Sequence, residues 1–297
     1  MTDQAEQLRT AARTKSLEQA AYSNRQLAGQ SRVLAVTSGK GGVGKTSLVV
    51  NLGLALSRLG YRVVIIDADL GLANIDVMIN SVSRYNLTDV INGSKNIRDV
   101  IMKGPLDLKI IPGGTGLFDL ANLDQARRGV LLDQLSELED EGDFIIIDTA
   151  AGISRQVISF VEAADDFILV TTPEPTAMTD AYSVLKVLSD RGLKDKGKIV
   201  VNLTRNLQQG HKIFAGLSRV VQKYLPSMEL NYLGDVRHDP AVSNAVHSFV
   251  PFVISNPQSA ASTAVSRIAW RIASNSEAEQ PFRRGIAGFI NQLKGLS

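Results

Sequence analysis

The sequence contains no cysteine. That excludes a disulfide framework, a thiolate nucleophile and any cysteine-ligated metal or iron–sulfur cluster. No charge sign dominates: 32 Lys and Arg stand against 30 Asp and Glu in 297 residues, a formal net charge of +2. A global basic field of the kind that draws nucleic acid is therefore missing, and nucleic acid is not an expected partner. No stretch reaches ~18 uninterrupted apolar residues, so no membrane-spanning segment is expected. The first residues, MTDQAEQLRTAART, hold no apolar run and do not read as a secretory signal, which makes a cytoplasmic chain the expectation. Internal repeats and low-complexity tracts are also missing.

What is present falls into three zones. Residues 1–31 are polar and alanine-rich, with helix formers but a thin apolar stripe, and read as a helix-prone tail that orders when something docks on it. Residues 32–275 alternate apolar, β-branched runs (VLAVTS, RVVIIDAD, LKIIPGG, FIIIDTA, DFILVTTP, KIVVNLTR, YLGDVRHD) with amphipathic stretches such as SLVVNLGLALSRLG and AYSVLKVLSDRG. Continuous apolar strands separated by helices require a parallel sheet buried on both faces. Right-handed crossovers make that an α/β, doubly wound domain with helices on both faces. Residues 276–297 read as a linker and a terminal helix.

Within the domain, GKGGVGKTS spans Gly39, Lys40, Gly41, Gly42, Val43, Gly44, Lys45, Thr46 and Ser47. It follows a strand signal and opens a helix signal, the context of a phosphate-binding loop. The glycines let successive backbone N–H groups curl toward phosphate oxygens, and the helix N-terminus adds its positive end. Lys45 is placed to reach the terminal phosphates, and the Thr46 hydroxyl to ligate Mg²⁺. Asp67 and Asp69 close the second strand run and Asp148 closes FIIIDTA. Carboxylates at strand C-termini beside such a loop are where a metal and an attacking water are held. One lysine suffices for binding phosphate, which leaves Lys40 to be accounted for.

KGGVGKT, together with DADLGLANID and IIDTAAG, resembles the MinD/ParA family of deviant Walker-A ATPases. The likeness extends from about Val33 to about Ser274 and takes in NLTR, DPAV and NPQS. It implies ATP and ADP as ligands, Mg²⁺ as cofactor and a P-loop NTPase fold. It further implies that Lys40 crosses to the phosphates of a second copy in an ATP-bound homodimer, so that hydrolysis waits on dimerisation. A cation supplied in trans acts as an arginine finger does, where charge develops on the transferring group. By the same resemblance Asp69 positions the attacking water, Asp67 supports the Mg²⁺ site and Asp148 holds Mg²⁺ through water. Asn202 meets the adenine edge, with Arg205 and Pro257 flanking the base. Asp180 falls on a dimer or partner surface.

The absence of cysteine excludes two relatives, the nitrogenase iron proteins and the arsenite-pump ATPases. Two terminal features narrow the family further. Phe282, Ile286, Phe289, Ile290 and Leu293 fall on one face of a helix at roughly 100° per residue, with Arg283 flanking it. Residues 281–297 contain no acidic residue. Such a helix can lie among anionic headgroups at the inner face of the cell membrane, reversibly and more strongly in a dimer. It can equally pack on the body, or alternate between the two. DQAEQLR, with Asp3, Gln4, Ala5, Leu8 and Arg9, resembles the signature of the FlhG branch, MinD-like ATPases that control flagellar number and placement. In that branch the element docks on the signal-recognition-type GTPase FlhF and stimulates it, and flagellar switch-complex proteins are further partners. A division-site regulator and a ParA-like DNA-partitioning ATPase are the competing readings.

Overall fold

Strands form where the apolar β-branched runs predict them, and every crossover between parallel strands carries a helix. The computed structural model describes residues 30–69, 74–114, 125–193, 197–278 and 284–295. The strands are β1 (Arg32–Ser38), β2 (Val63–Ala68), β3 (Met102–Lys103), β4 (Lys109–Ile111), β5 (Phe144–Ala151), β6 (Asp166–Thr171), β7 (Gly197–Thr204) and β8 (Leu230–Arg237). They build one sheet in the order β3-β4-β2-β5-β1-β6-β7-β8. All neighbours are parallel except β3 with β4.

The chain winds from β1 toward β2 on one side and from β5 across to β6 on the other. The C-terminal end of β1 therefore sits at the switch point of the sheet, where a crevice opens. The helix α1 (Lys45–Arg58) leaves from that point and ends before Gly60, which takes the left-handed conformation at φ 89° that closes a helix.

Alternate strand residues feed two cores. Val33, Ala35, Ile145 and Ile147 face one layer, built from α3 (Leu87–Ile91), α4 (Ile97–Val100), α5 (Gln125–Ser136), α6 (Arg155–Ala163), α7 (Pro175–Asp190) and α8 (Leu207–Tyr224). Leu34, Val36, Phe144 and Ile146 face the other, built from α1, α2 (Asn74–Met78), α9 (Pro240–Ser248), α10 (Phe252–Ser255) and α11 (Ala260–Ala278). The three layers match the doubly wound expectation. Helix α11 runs past the expected boundary at residue 275, to Ala278.

The terminal helix α12 (Gly285–Gly295) is docked on the body. Ile286, Phe289 and Ile290, read from the sequence as a lipid-facing stripe, are all buried in the first core, with Leu293 packed at its margin. The Phe289 ring stacks on Phe160 at a centroid distance of 6.3 Å. Of the two options the sequence left open, the structure adopts the packed one, because this apolar face finds α5, α6 and β1 within reach. Phe282 and Arg283 lie outside the described residues, as do Asp3, Gln4, Ala5, Leu8 and Arg9. Among the described residues no helix is long and apolar enough to cross a membrane.

Beneath the sheet, at the ends of the strands opposite the phosphate loop, lies a buried ionic group. The Arg32 guanidinium and the Lys198 ammonium both pair with Asp166, and Arg32 also donates to the Ile272 carbonyl at 2.9 Å. This joins β1, β6, β7 and α11 at one point. Removing one partner of a buried pair leaves charge uncompensated, at a cost of about 3–5 kcal/mol. Asp166→Ala is therefore expected to lower stability by several kcal/mol, read as a reduced midpoint in urea unfolding. An unchanged midpoint would show that the group contributes nothing to the fold.

Candidate functional site

The loop between β1 and α1 is shaped by glycines at positions where a side chain could not stand. Gly42 and Gly44 adopt φ of 79° and 82°, the left-handed region. Gly44 is also the N-cap of α1, which has no side-chain cap and no acidic residue in its first turn. The helix thus presents unpaired backbone N–H groups and its positive dipole end to the crevice, as an anion site requires. A Cβ on Gly39 would stand 2.3 Å from the backbone carbonyl carbon of Asp180, so the start of the loop lies directly on α7. The Asp180 side chain, expected on a partner surface, is partly exposed, while its backbone makes this contact.

The two lysines point to different partners. The Lys45 Nζ is buried, 2.6 Å from Asp148 Oδ1 and 3.7 Å from Asp69 Oδ2. Lys40 is exposed at the surface, where its Nζ donates to Glu174 Oε2 at 2.9 Å and Thr176 Oγ1 at 3.3 Å. The hydrogen bond to Glu174 raises the Lys40 pKa above its ordinary value. Both partners sit at the start of α7, where Glu174 is the N-cap and Pro175 the first helical residue.

Three carboxylates border the loop. Asp67 and Asp148 are register partners on the adjacent strands β2 and β5. Burial pushes the Asp67 carboxyl up to about 7, with the neighbouring Asp148 charge adding to the rise. Asp148 is fully buried and also raised by desolvation, opposed by Lys45 and by the nearby Thr46 hydroxyl. Its second oxygen, Oδ2, and the Ser47 hydroxyl are buried without a hydrogen-bond partner among the described residues. Orphaned acceptors beside a cationic loop fit a bound cation and its nucleotide. Among the described residues no group of three or more His, Asp or Glu is arranged to hold an ion unaided. Magnesium here would need phosphate oxygens to complete its shell.

Asn202 stands beside the loop at the end of β7. Asn202 is buried, and its amide donates to the Val43 carbonyl at 2.8 Å while its Oδ1 accepts from the Leu203 N–H at 2.9 Å. Its amide nitrogen would lie 2.4 Å from a Cβ on Gly44, so Asn202 braces the loop. Beside it opens a cavity of about 250 Å³, lined by Gly44, Leu203, His238, Asp239, Val242 and Val246 among others. Arg205 and Pro257, expected to flank the base, are exposed and lie outside the lining of this cavity.

Sequence reasoning missed Glu174 and Thr176 as the Lys40 anchor, and the α9 wall of the cavity. It also missed Gly113, where a Cβ would stand 1.8 Å from the Asp67 carbonyl oxygen. The PGG text after β4 was a usable signal for a close backbone approach.

A family model described as an AAA domain matches residues 31–199, and a ParA model described as an NUBPL iron-transfer P-loop NTPase matches residues 129–273. The antiactivator FleN of Pseudomonas aeruginosa is 40% identical over 242 residues, 81% of this chain and 86% of FleN. The flagellum site-determining protein YlxH of Helicobacter pylori is 32% identical over 273 residues, 89% of this chain and 90% of YlxH. Among solved structures, the MinC:MinD cell division protein complex of Aquifex aeolicus superimposes with a TM-score of 0.65 at 26% identity, over 82% of this chain and 96% of that one. With its phosphate loop, switch-point crevice and paired strand-end carboxylates, the chain belongs to the MinD/ParA family of P-loop ATPases, on the FlhG branch of which FleN and YlxH are members.

Proposed function

We propose that the protein is a Mg²⁺- and ATP-dependent switch in the control of flagellum number and placement. In this reading it dimerises with ATP and associates reversibly with the inner face of the cytoplasmic membrane. The observation that carries the reading is the separation of the two loop lysines. Lys45 turns inward to Asp148 and Asp69, whereas Lys40 stands on the surface against Glu174 and Thr176. A surface cation beside a phosphate loop suits a second copy whose phosphates replace Glu174 as its anion.

In the ATP state the loop N–H groups and Lys45 hold the phosphates, and Asn202 keeps the loop in shape from below. Thr46 and Asp148 would hold Mg²⁺, with Asp67 behind them, and the ion neutralises phosphate charge. Asp69, half-exposed at the end of β2, orients the attacking water. Lys40 from the second copy meets the charge developing on the transferred phosphoryl group. The base lies in the cavity between the loop and α9.

The flagellar assignment rests on the likeness to FleN and YlxH and on the N-terminal DQAEQLR element. Residues 3–9 would dock on the signal-recognition-type GTPase FlhF and stimulate it. Helix α12, packed in this structure, would leave the body to reach lipid when ATP drives dimerisation. Its release would expose Phe289 and Ile290, a small apolar face suited to the headgroup region.

Two measurements follow. Lys40→Ala should retain ATP binding while steady-state ATP hydrolysis falls by about 10³, the effect of losing a trans-acting cation. Hydrolysis at the parental rate would refute the in-trans role. A peptide of residues 1–27 should accelerate GTP hydrolysis by FlhF from the same organism, and Gln4→Ala with Arg9→Ala should abolish the effect. No acceleration, with binding verified, would move division-site control ahead of the flagellar reading.

A further inference from the structure

Strand β8 closes one edge of the sheet, with no strand beyond it among the described residues, and α8 and α11 flank it on the two faces. A cavity of about 130 Å³ opens there. Tyr232–Asp235 form its floor, Leu207 and His211 one wall, and Arg267 and Arg271 the other. Gly234 on the floor adopts φ 153°, and the ladder with β7 slips at this point, so the strand bends away from regular pairing.

The polar groups of the floor are already engaged. The Tyr232 hydroxyl donates to Asp235 Oδ1 at 2.8 Å and the Thr204 hydroxyl to Asp235 Oδ2 at 3.1 Å. Arg271 donates one N–H to the Leu233 carbonyl. Asp235, the only carboxylate lining the cavity, is thereby held within the fold. The rim is governed by exposed cations. Although the whole chain is nearly neutral, residues 207–224 and 260–274 contain no Asp or Glu, against Lys212, Arg219, Lys223, Arg267 and Arg271.

The same edge exposes apolar surface. Trp270, the only tryptophan, is 46% exposed on the outward face of α11, one turn from Arg267. Leu207, on the opposite wall, is 44% exposed. Tryptophan and arginine are the side chains that most often anchor protein interfaces. At about 130 Å³ the cavity is well below the ~300 Å³ at which small-molecule sites begin, so it suits one inserted side chain.

We propose that this groove docks an acidic segment of a protein partner, with a carboxylate side chain entering between Arg267 and His211 and an apolar neighbour lying on Trp270. The guanidinium of Arg267 selects the carboxylate, and the exposed indole and Leu207 select an apolar residue beside it. A nucleic-acid duplex offers those two side chains little apolar surface, and its affinity would come chiefly from phosphate contacts. The groove adjoins the cavity beside the phosphate loop along β8 but shares no lining residue with it.

The test uses the full chain. A displayed library of random 12-residue peptides is selected on the wild type, and the enriched peptides are titrated at fixed salt against Trp270 fluorescence. Acidic peptides with an adjacent large apolar residue are expected, saturating the Trp270 signal. Arg267→Glu should weaken them at least tenfold while leaving ATP hydrolysis unchanged. Arg267 has no hydrogen bond or ion pair among the described residues, so its charge reversal tests the surface and not the fold. Enriched peptides without acidic residues, or equal binding to Arg267→Glu, would overturn the proposal. Duplex DNA that shifts Trp270 as strongly as the peptides, with steep loss at higher salt, would also overturn it and assign the edge to nucleic acid.

Discussion

Asp67 and Asp148 stand side by side on adjacent parallel strands, both buried, with the Lys45 ammonium against them. Two carboxylates so close cannot both hold full charge in a dry crevice without a cation, and burial drives both toward the protonated form. Lys45 opposes that rise at Asp148, and Asp69 leans on the same ammonium from the rim. Such an arrangement favours positive charge held in place, which Lys45 supplies and a nucleotide-bound Mg²⁺ would add to. Much of the remaining architecture serves to hold this cluster. Gly113 presses on the Asp67 carbonyl from β4, Asn202 braces the loop from β7, and Gly39 seats its start on α7.

That seating also explains where Lys40 ends up. Because Gly39 lies directly on the α7 backbone, the next residue is carried to the N-terminal end of that helix, where Glu174 and Thr176 receive it. The loop and α7 therefore form one unit, with the inner lysine serving the crevice and the outer one a surface. Under the proposed mechanism, an ion pair within one chain is exchanged for one between chains. Exposed ion pairs are worth little, so this exchange costs little.

The far end of the sheet has a different role. Ser31 and Ile286, the first just before β1 and the second in α12, both bond to Glu139, and Asp165 receives the N–H groups of Val33 and Arg284. The start of β1 and the start of the terminal helix are thus tied to the same two carboxylates. These ties, together with the buried Phe289 and Ile290, account for α12 resting on the body.

How much of this was legible beforehand depends on whether the cause is local. The strands, the phosphate loop and the strand-end aspartates were readable because apolar β-branched runs, glycines and a Lys-Thr pair act within a few residues of themselves. The amphipathic face of residues 282–293 was equally readable, but a periodic stripe states only that a face will be covered, not by what. Contacts across the sheet could not be read. The register that sets Asp67 beside Asp148, the approach of Gly39 to Asp180 and the α9 wall of the cavity beside the loop join residues far apart in sequence. Packing of the whole domain chose those partners, and it alone put Asn202 under the loop and left Arg205 and Pro257 outside the cavity. The sequence by itself determined the chemistry the loop can perform, since that resides in residue types at fixed short spacing. The tertiary structure decided which groups stand around it, since burial and register arise only when the layers close.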